Sequence, residues 1–200
     1  DDADRERYLS RLEHYREKFG FKLLAYCLMD NHVHLAIETG DEPLSRIMAG
    51  LQSSYTQGFN RRHGRVGHLF QGRYKAYVVD KDAYLLGLVR YIHENPRKAK
   101  LVERTWEYPW SSDRFYRRGR GPSWLDQDLV LSMLGRSQRE AVRRYRIVMG
   151  KESEEPYEDA KAVGQVVIGD EGFARELFRK AAEPEQVLRW LTEARVARET

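Results

Sequence analysis

Two hundred residues, 41% hydrophobic and 12% aromatic, suffice for one large globular domain or a domain with an appendage. The net charge of +4 is unevenly spread: residues 61–120 carry 15 Lys and Arg against 6 Asp and Glu, a net of +9, whereas residues 151–200 carry 8 against 12, a net of −4. One cysteine excludes an internal disulfide, no run reaches the ~18 to 20 apolar residues of a membrane helix, and the charged opening Asp1-Asp2-Ala3-Asp4-Arg5 has no signal-peptide pattern.

Residues 2–19 read as an amphipathic helix with Tyr8, Leu9, Leu12, Tyr15 and Phe19 on one face, stopped by Gly20. Phe21 to Met29 reads as an apolar strand, Asp30-Asn31 as a turn and His32 to Glu38 as a second strand, together an antiparallel hairpin. In that setting Cys27 is a core thiol in a reducing compartment. A helix from Leu44 to Arg62 follows, then a basic glycine-bearing loop to Gly67 and a strand over Leu69 to Val79. Asp80 suits the N-cap of a helix over Lys81 to Glu94, which Pro96 is expected to end.

Val102 to Arg120 is aromatic-rich and irregular, and Gly119-Arg120-Gly121-Pro122 marks a boundary. Residues 1–118 are thus expected to form one domain and 119–200 a mostly α-helical extension. Helical patterns fall at 126–135, 136–149, 170–181 and 183–197, with an acidic loop at 152–159. The order helix, strand, strand, helix, strand, helix indicates an α+β sandwich with helices on an antiparallel sheet.

His32 and His34 stand at i and i+2 on a strand, so both imidazoles point to one face while Val33 points to the other. Tyr91 and Asn95 stand four apart in a helix and share a face. If that helix packs near the histidine strand, two imidazole nitrogens and one amide oxygen converge as ligands for a divalent ion, Mg²⁺ or Mn²⁺. The tyrosine hydroxyl would lie beside the ion. A phenol, with pKa ~10, is a weak nucleophile until positioned and activated, and a divalent cation polarises a phosphodiester. Tyr84, two helical turns upstream, is the competing nucleophile.

These residues resemble a family. His32-Val33-His34 with Tyr91-Ile92-His93-Glu94-Asn95-Pro96 is similar to the single-tyrosine HUH transposases, and most of all to the REP-associated tyrosine transposases. Leu28-Met29-Asp30-Asn31, the run Gly67-His68-Leu69-Phe70-Gln71-Gly72-Arg73-Tyr74, and Tyr108-Pro109-Trp110-Ser111-Ser112 extend the resemblance over about residues 1–116. It implies a ferredoxin-like (RRM-like) catalytic domain that cleaves and rejoins single-stranded or hairpin DNA, with repetitive extragenic palindromes as substrates. Tyr91 becomes joined to a 5′ phosphate, His32 and His34 hold the metal, and Asn95 is the third ligand, where relatives often carry glutamine. Relatives also have a strand before the first helix; this sequence opens almost inside that helix, and the strand is expected to precede it in the natural protein. The setting implied is the bacterial cytoplasm at the nucleoid, as monomer or homodimer, with no membrane partner.

Arg61, Arg62, Arg65, Arg73, Lys75, Arg97 and Lys98 are the expected DNA-binding residues within the basic block. His63 and His68 flank its loop as phosphate contacts or exposed residues, and His93, turned away from Tyr91, packs or faces solvent. Trp106 and Trp110 read as core plugs in preference to base-stacking platforms. Arg143, Arg144 and Arg146 either extend the DNA surface or solvate a helix. Two rival readings are a binding module that no longer cuts and an RNA-binding protein on an RRM-like sheet. The intact set His32, His34, Tyr91 and Asn95 argues against the first, and histidines in place of exposed aromatics on the sheet argue against the second.

Overall fold

The computed structural model describes residues 1–150 and, as backbone, 167–168 and 191–195. Helix α1 (Asp2–Phe19) starts with a capping box between Asp1 and Asp4 and ends at Gly20, whose φ of 66° is the left-handed geometry that favours glycine. Strands β1 (Lys22–Leu28) and β2 (His32–Glu38) pair antiparallel, with Cys27 opposite His34 and Leu28 opposite Val33. Helix α2 (Leu44–His63) follows, then β3 (Lys75–Val79) and α3 (Lys81–Lys98). A 3-10 turn (Thr105–Glu107) leads into α4 (Asp113–Arg118), α5 (Asp128–Ser132) and α6 (Gln138–Gly150). Two further strands are β4 (Val167–Ile168) and β5 (Leu191–Arg195).

The sheet order is β1-β2-β5-β3-β4, with every pairing antiparallel except β3 with β4. Val33 points to the same side as Tyr8 of α1 and Tyr55 of α2, lining with them a hollow of about 260 Å³. His34 points to the other side and meets α3. The fold is therefore mixed α and β, with α1 and α2 on one face of the hairpin and α3 on the other. Both faces of β1 and β2 are buried, which explains their nearly continuous apolar character.

Four expectations need correction. Leu69 to Tyr74 is not strand: β3 begins only at Lys75, because Gly72 offers no side chain to a ladder and Leu69 turns into the core. Helix α3 does not stop before Pro96 but carries it in its last turn, where Ala99 N–H still donates to Asn95 and Leu101 N–H to Pro96. Trp106 is no core plug, being 42% exposed beneath the guanidinium of Arg117, 4.1 Å from its ring centre. Leu191–Arg195 is strand, not helix, so the extension is not purely helical: its backbone pairs with β2 on one side and β3 on the other, and that pairing overrides the local helical pattern. The patterns at 152–159 and 170–181 lie outside the described residues.

Candidate functional site

On β2 the rings of His32 and His34 lie side by side, their centres 4.7 Å apart at 87°. His32 is half-buried and His34 is buried. Nδ1 of His32 lies 2.8 Å from Oδ1 of Asn31. An amide oxygen only accepts, so Nδ1 carries the proton and Nε2 keeps its lone pair, as a metal-binding imidazole requires.

Helix α3 is placed by Asp80, whose carboxylate accepts from the backbone N–H groups of Asp82 and Ala83 at 3.0 Å and 3.4 Å. Leu85, Leu88, Val89 and Ile92 form its buried face. This seats the half-buried Tyr91 edge-on to His34, ring centres 5.5 Å apart at 88°. The Lys98 ammonium lies 5.2 Å from the Tyr91 ring centre. One turn after Tyr91, Nδ2 of Asn95 donates to the Tyr91 carbonyl at 2.7 Å, which leaves Oδ1 as the acceptor end of that amide. The structure thus brings His32, His34 and Tyr91 together from two elements, with Asn95 one turn away. The donor set of two imidazoles and one amide oxygen fits a divalent cation. Tyr84 is half-buried and packs on the core.

The expected DNA-binding residues divide. Arg61, Arg73 and Lys75 are exposed, and Arg65 is half-buried on the loop after α2. Arg62 bridges Asp1 and Asp4, at 2.8 Å and 2.6 Å. Arg97 pairs with Glu94 at 2.6 Å, and Lys98 covers Tyr91. His63 joins the Asp4 cluster at 3.0 Å, while His68 is exposed. Asp1, Asp4 and His63 bring ligand atoms within 4.8 Å of one another, but the Arg62 guanidinium already supplies the positive charge there. Burial raises the Asp4 carboxyl, yet hydrogen bonds from His63, Arg62 and the N-terminal ammonium prevail and hold it below the usual range.

Two residues beyond Tyr91, on the far side of α3, His93 is fully buried. Its Nδ1 lies 2.7 Å from the Tyr145 hydroxyl and its Nε2 2.6 Å from Ser112 Oγ. The Tyr145 hydroxyl donates to Asp113 at 2.7 Å, and Asp113 also accepts from Thr105 and Arg117. Burial pushes His93 down to about 4, against the pull of the Asp113 charge, so the imidazole is neutral. Sequence spacing carries no sign of this network, because Tyr145 stands 52 residues from His93 and Ser112 stands 19 away.

A family model described as "Transposase IS200 like" matches residues 1–95. A Haemophilus influenzae protein named for the REP-associated tyrosine transposases is 27% identical over 119 residues, which cover 54% of this chain and 65% of that protein. The chain therefore spans a little under two thirds of that relative's length. No solved structure matches. His32, His34, Tyr91 and Asn95 all fall within the matched segment, and over residues 1–95, a little under half of its length, the chain is similar to the IS200-like transposases.

Proposed function

We propose that this chain is a transposase-like, metal-dependent, single-tyrosine DNA nuclease and strand transferase acting on single-stranded or hairpin DNA. The observation that carries the reading is the edge-on meeting of Tyr91 with the His32–His34 pair, residues from α3 and β2 that only the fold brings together. In this reading the Tyr91 hydroxyl oxygen attacks a backbone phosphorus. A P–O bond to tyrosine forms, the bond to the 3′ oxygen breaks, the tyrosine proton is lost to solvent and the leaving 3′ oxygen gains one. The 5′ phosphate stays on the protein, and a later 3′ hydroxyl can rejoin it by the reverse step.

His32, His34 and Asn95 would hold Mg²⁺ or Mn²⁺, which when bound polarises the phosphodiester. Asn31 fixes the His32 tautomer, Lys98 sets a positive charge against the Tyr91 ring, and the buried face of α3 keeps that ring at the histidines. A ferredoxin-like sheet is the architecture inferred with this chemistry. Taken with β5 as the first strand, the elements β5, α1, β1, β2, α2 and β3 reproduce the order βαββαβ, and β5 is antiparallel to both inner neighbours. Exposed Arg61, Arg73 and Lys75 and half-buried Arg65 would contact the DNA backbone, whereas Arg62 and Arg97 would have to exchange carboxylate partners to do so.

The test is an adduct gel with a hairpin oligonucleotide and Mn²⁺. Tyr91→Phe should abolish both cleavage and the covalent protein–DNA band while hairpin binding persists. Undiminished cleavage by that variant removes the tyrosine mechanism, and an unaltered chain that binds but forms no adduct supports the non-cutting module instead.

A further inference from the structure

Outside the family match, α6 carries Arg139, Arg143 and Arg146 at i, i+4 and i+7, one stripe of its exposed face. Arg118, at the end of α4, completes a groove of about 730 Å³ between the two helices. Gly119 sets the close approach: its φ is 68°, and a Cβ there would lie 2.6 Å from Val142. The opposite face of α6 buries Ala141, Tyr145 and Met149, so the stripe cannot turn inward.

The charge balance of this groove is one-sided. Among the described residues no carboxylate pairs with Arg118, Arg139 or Arg143, and the nearby Glu140 is taken by Arg144 at 2.7 Å. Arg146 donates through Nε to the Arg117 carbonyl at 3.0 Å, which fixes its stem but leaves its charge unmatched. Like charges at i and i+4 on a helix repel, and a polyanion laid along the stripe removes that repulsion. The seven helical steps from Arg139 to Arg146 span about 10 Å at 1.5 Å per residue, the axial length of about three phosphates on one strand of a duplex. Among the described residues no aromatic side chain lines the groove, so they offer no platform on which an unpaired base could stack.

We infer that the α4–α6 groove is a second DNA site, which grips the phosphate backbone of a duplex stem irrespective of its sequence. This rests on the DNA-processing reading of the Tyr91 site and gives that site a substrate with a paired segment. Helix α6 is tied to the catalytic helix through Tyr145 and His93, so a stem held there is held on the same framework as Tyr91.

The experiment measures binding of a stem-bearing hairpin, and of an unpaired oligonucleotide of equal length, across a salt series. For the hairpin, Arg139→Ala/Arg143→Ala should lower the slope of log affinity against log salt by about 1.8, from about 0.9 per phosphate. The same relation gives a loss of roughly thirty-fold in affinity at 0.15 M salt. Arg139→Lys/Arg143→Lys should retain most of the slope, which separates lost charge from lost folding. An unchanged hairpin slope in the alanine variant overturns the proposal, as does an equal loss for the unpaired strand. Covalent adduct formation is read on the same samples of the unaltered chain: adduct with an unchanged slope removes only the groove, and a changed slope without adduct removes only the tyrosine chemistry.

Discussion

An imidazole that is to hold a divalent ion must present one nitrogen unprotonated, and for His32 the Asn31 amide oxygen favours the tautomer with the proton on Nδ1. The strand alternation that puts His32 and His34 on one face is a local property, and the pair was legible without any fold. What was not legible is that His34 would be buried against a tyrosine from another element. His32→Ala/His34→Ala should weaken Mn²⁺ binding by tenfold or more in calorimetry while the far-ultraviolet circular dichroism is retained, since α3 and the β1–β2 ladder do not depend on those rings. Equal Mn²⁺ affinity would remove both histidines from the ligand set. Trp106 is the contrary case: an indole reads as core by composition, but here Arg104 and Arg117 cover its faces and leave its edge in water.

Among the elements, α3 was placed well at its start, because Asp80 is a cap by its own chemistry. Its end was misjudged, because a proline in the last turn forfeits one N–H donor without breaking the bonds that follow it. The far side of α3 is held by His93, whose partners Ser112 and Tyr145 come from other elements. Asp113 lies 3.9 Å from its Nδ1, and Arg117 stands behind Asp113. Because burial lowers His93 to about 4 from an ordinary 6.5, the unfolded chain takes up a proton between those values that the folded chain does not. Stability therefore falls as pH drops through that window, by up to roughly 3 kcal/mol if the whole shift is realised. Asp113, whose carboxyl is raised by burial but held below its usual range by the charge His93 gains once it protonates, the Arg117 charge and two hydrogen bonds, adds a further loss only below about pH 4. Denaturant melts at pH 7 and pH 5 should show the unaltered chain losing stability toward acid and His93→Gln losing distinctly less. Parallel losses in the two proteins would show that His93 does not govern the response.

At the scale of the whole molecule, one carboxylate past residue 118 is tied to both α1 and β1. Asp126 accepts two bonds from Arg16, at 2.7 Å and 3.0 Å, and one from the Leu23 N–H at 2.9 Å, while its own N–H donates to the Leu23 carbonyl at 2.8 Å. Asp126→Ala removes the charged acceptor from α1 and β1 together and should cost about 2 kcal/mol in denaturant melts. A variant as stable as the parent would mean that the other contacts of this segment, Tyr145 with His93 among them, carry the attachment. The sequence by itself determined what local chemistry encodes: α1, α2 and the β1–β2 hairpin, the cap of α3, the shared face of His32 and His34, and the shared face of Tyr91 and Asn95. These follow from periods of two and of 3.6 residues and from capping groups, none of which needs a distant partner. Tertiary structure alone decided that α3 crosses the histidine face, that His93 and Tyr145 join α3 to α6, that Leu191–Arg195 enters the sheet as a strand, and that four arginines gather between α4 and α6. Each of these depends on which surfaces meet across long stretches of chain, and no spacing within one element encodes that.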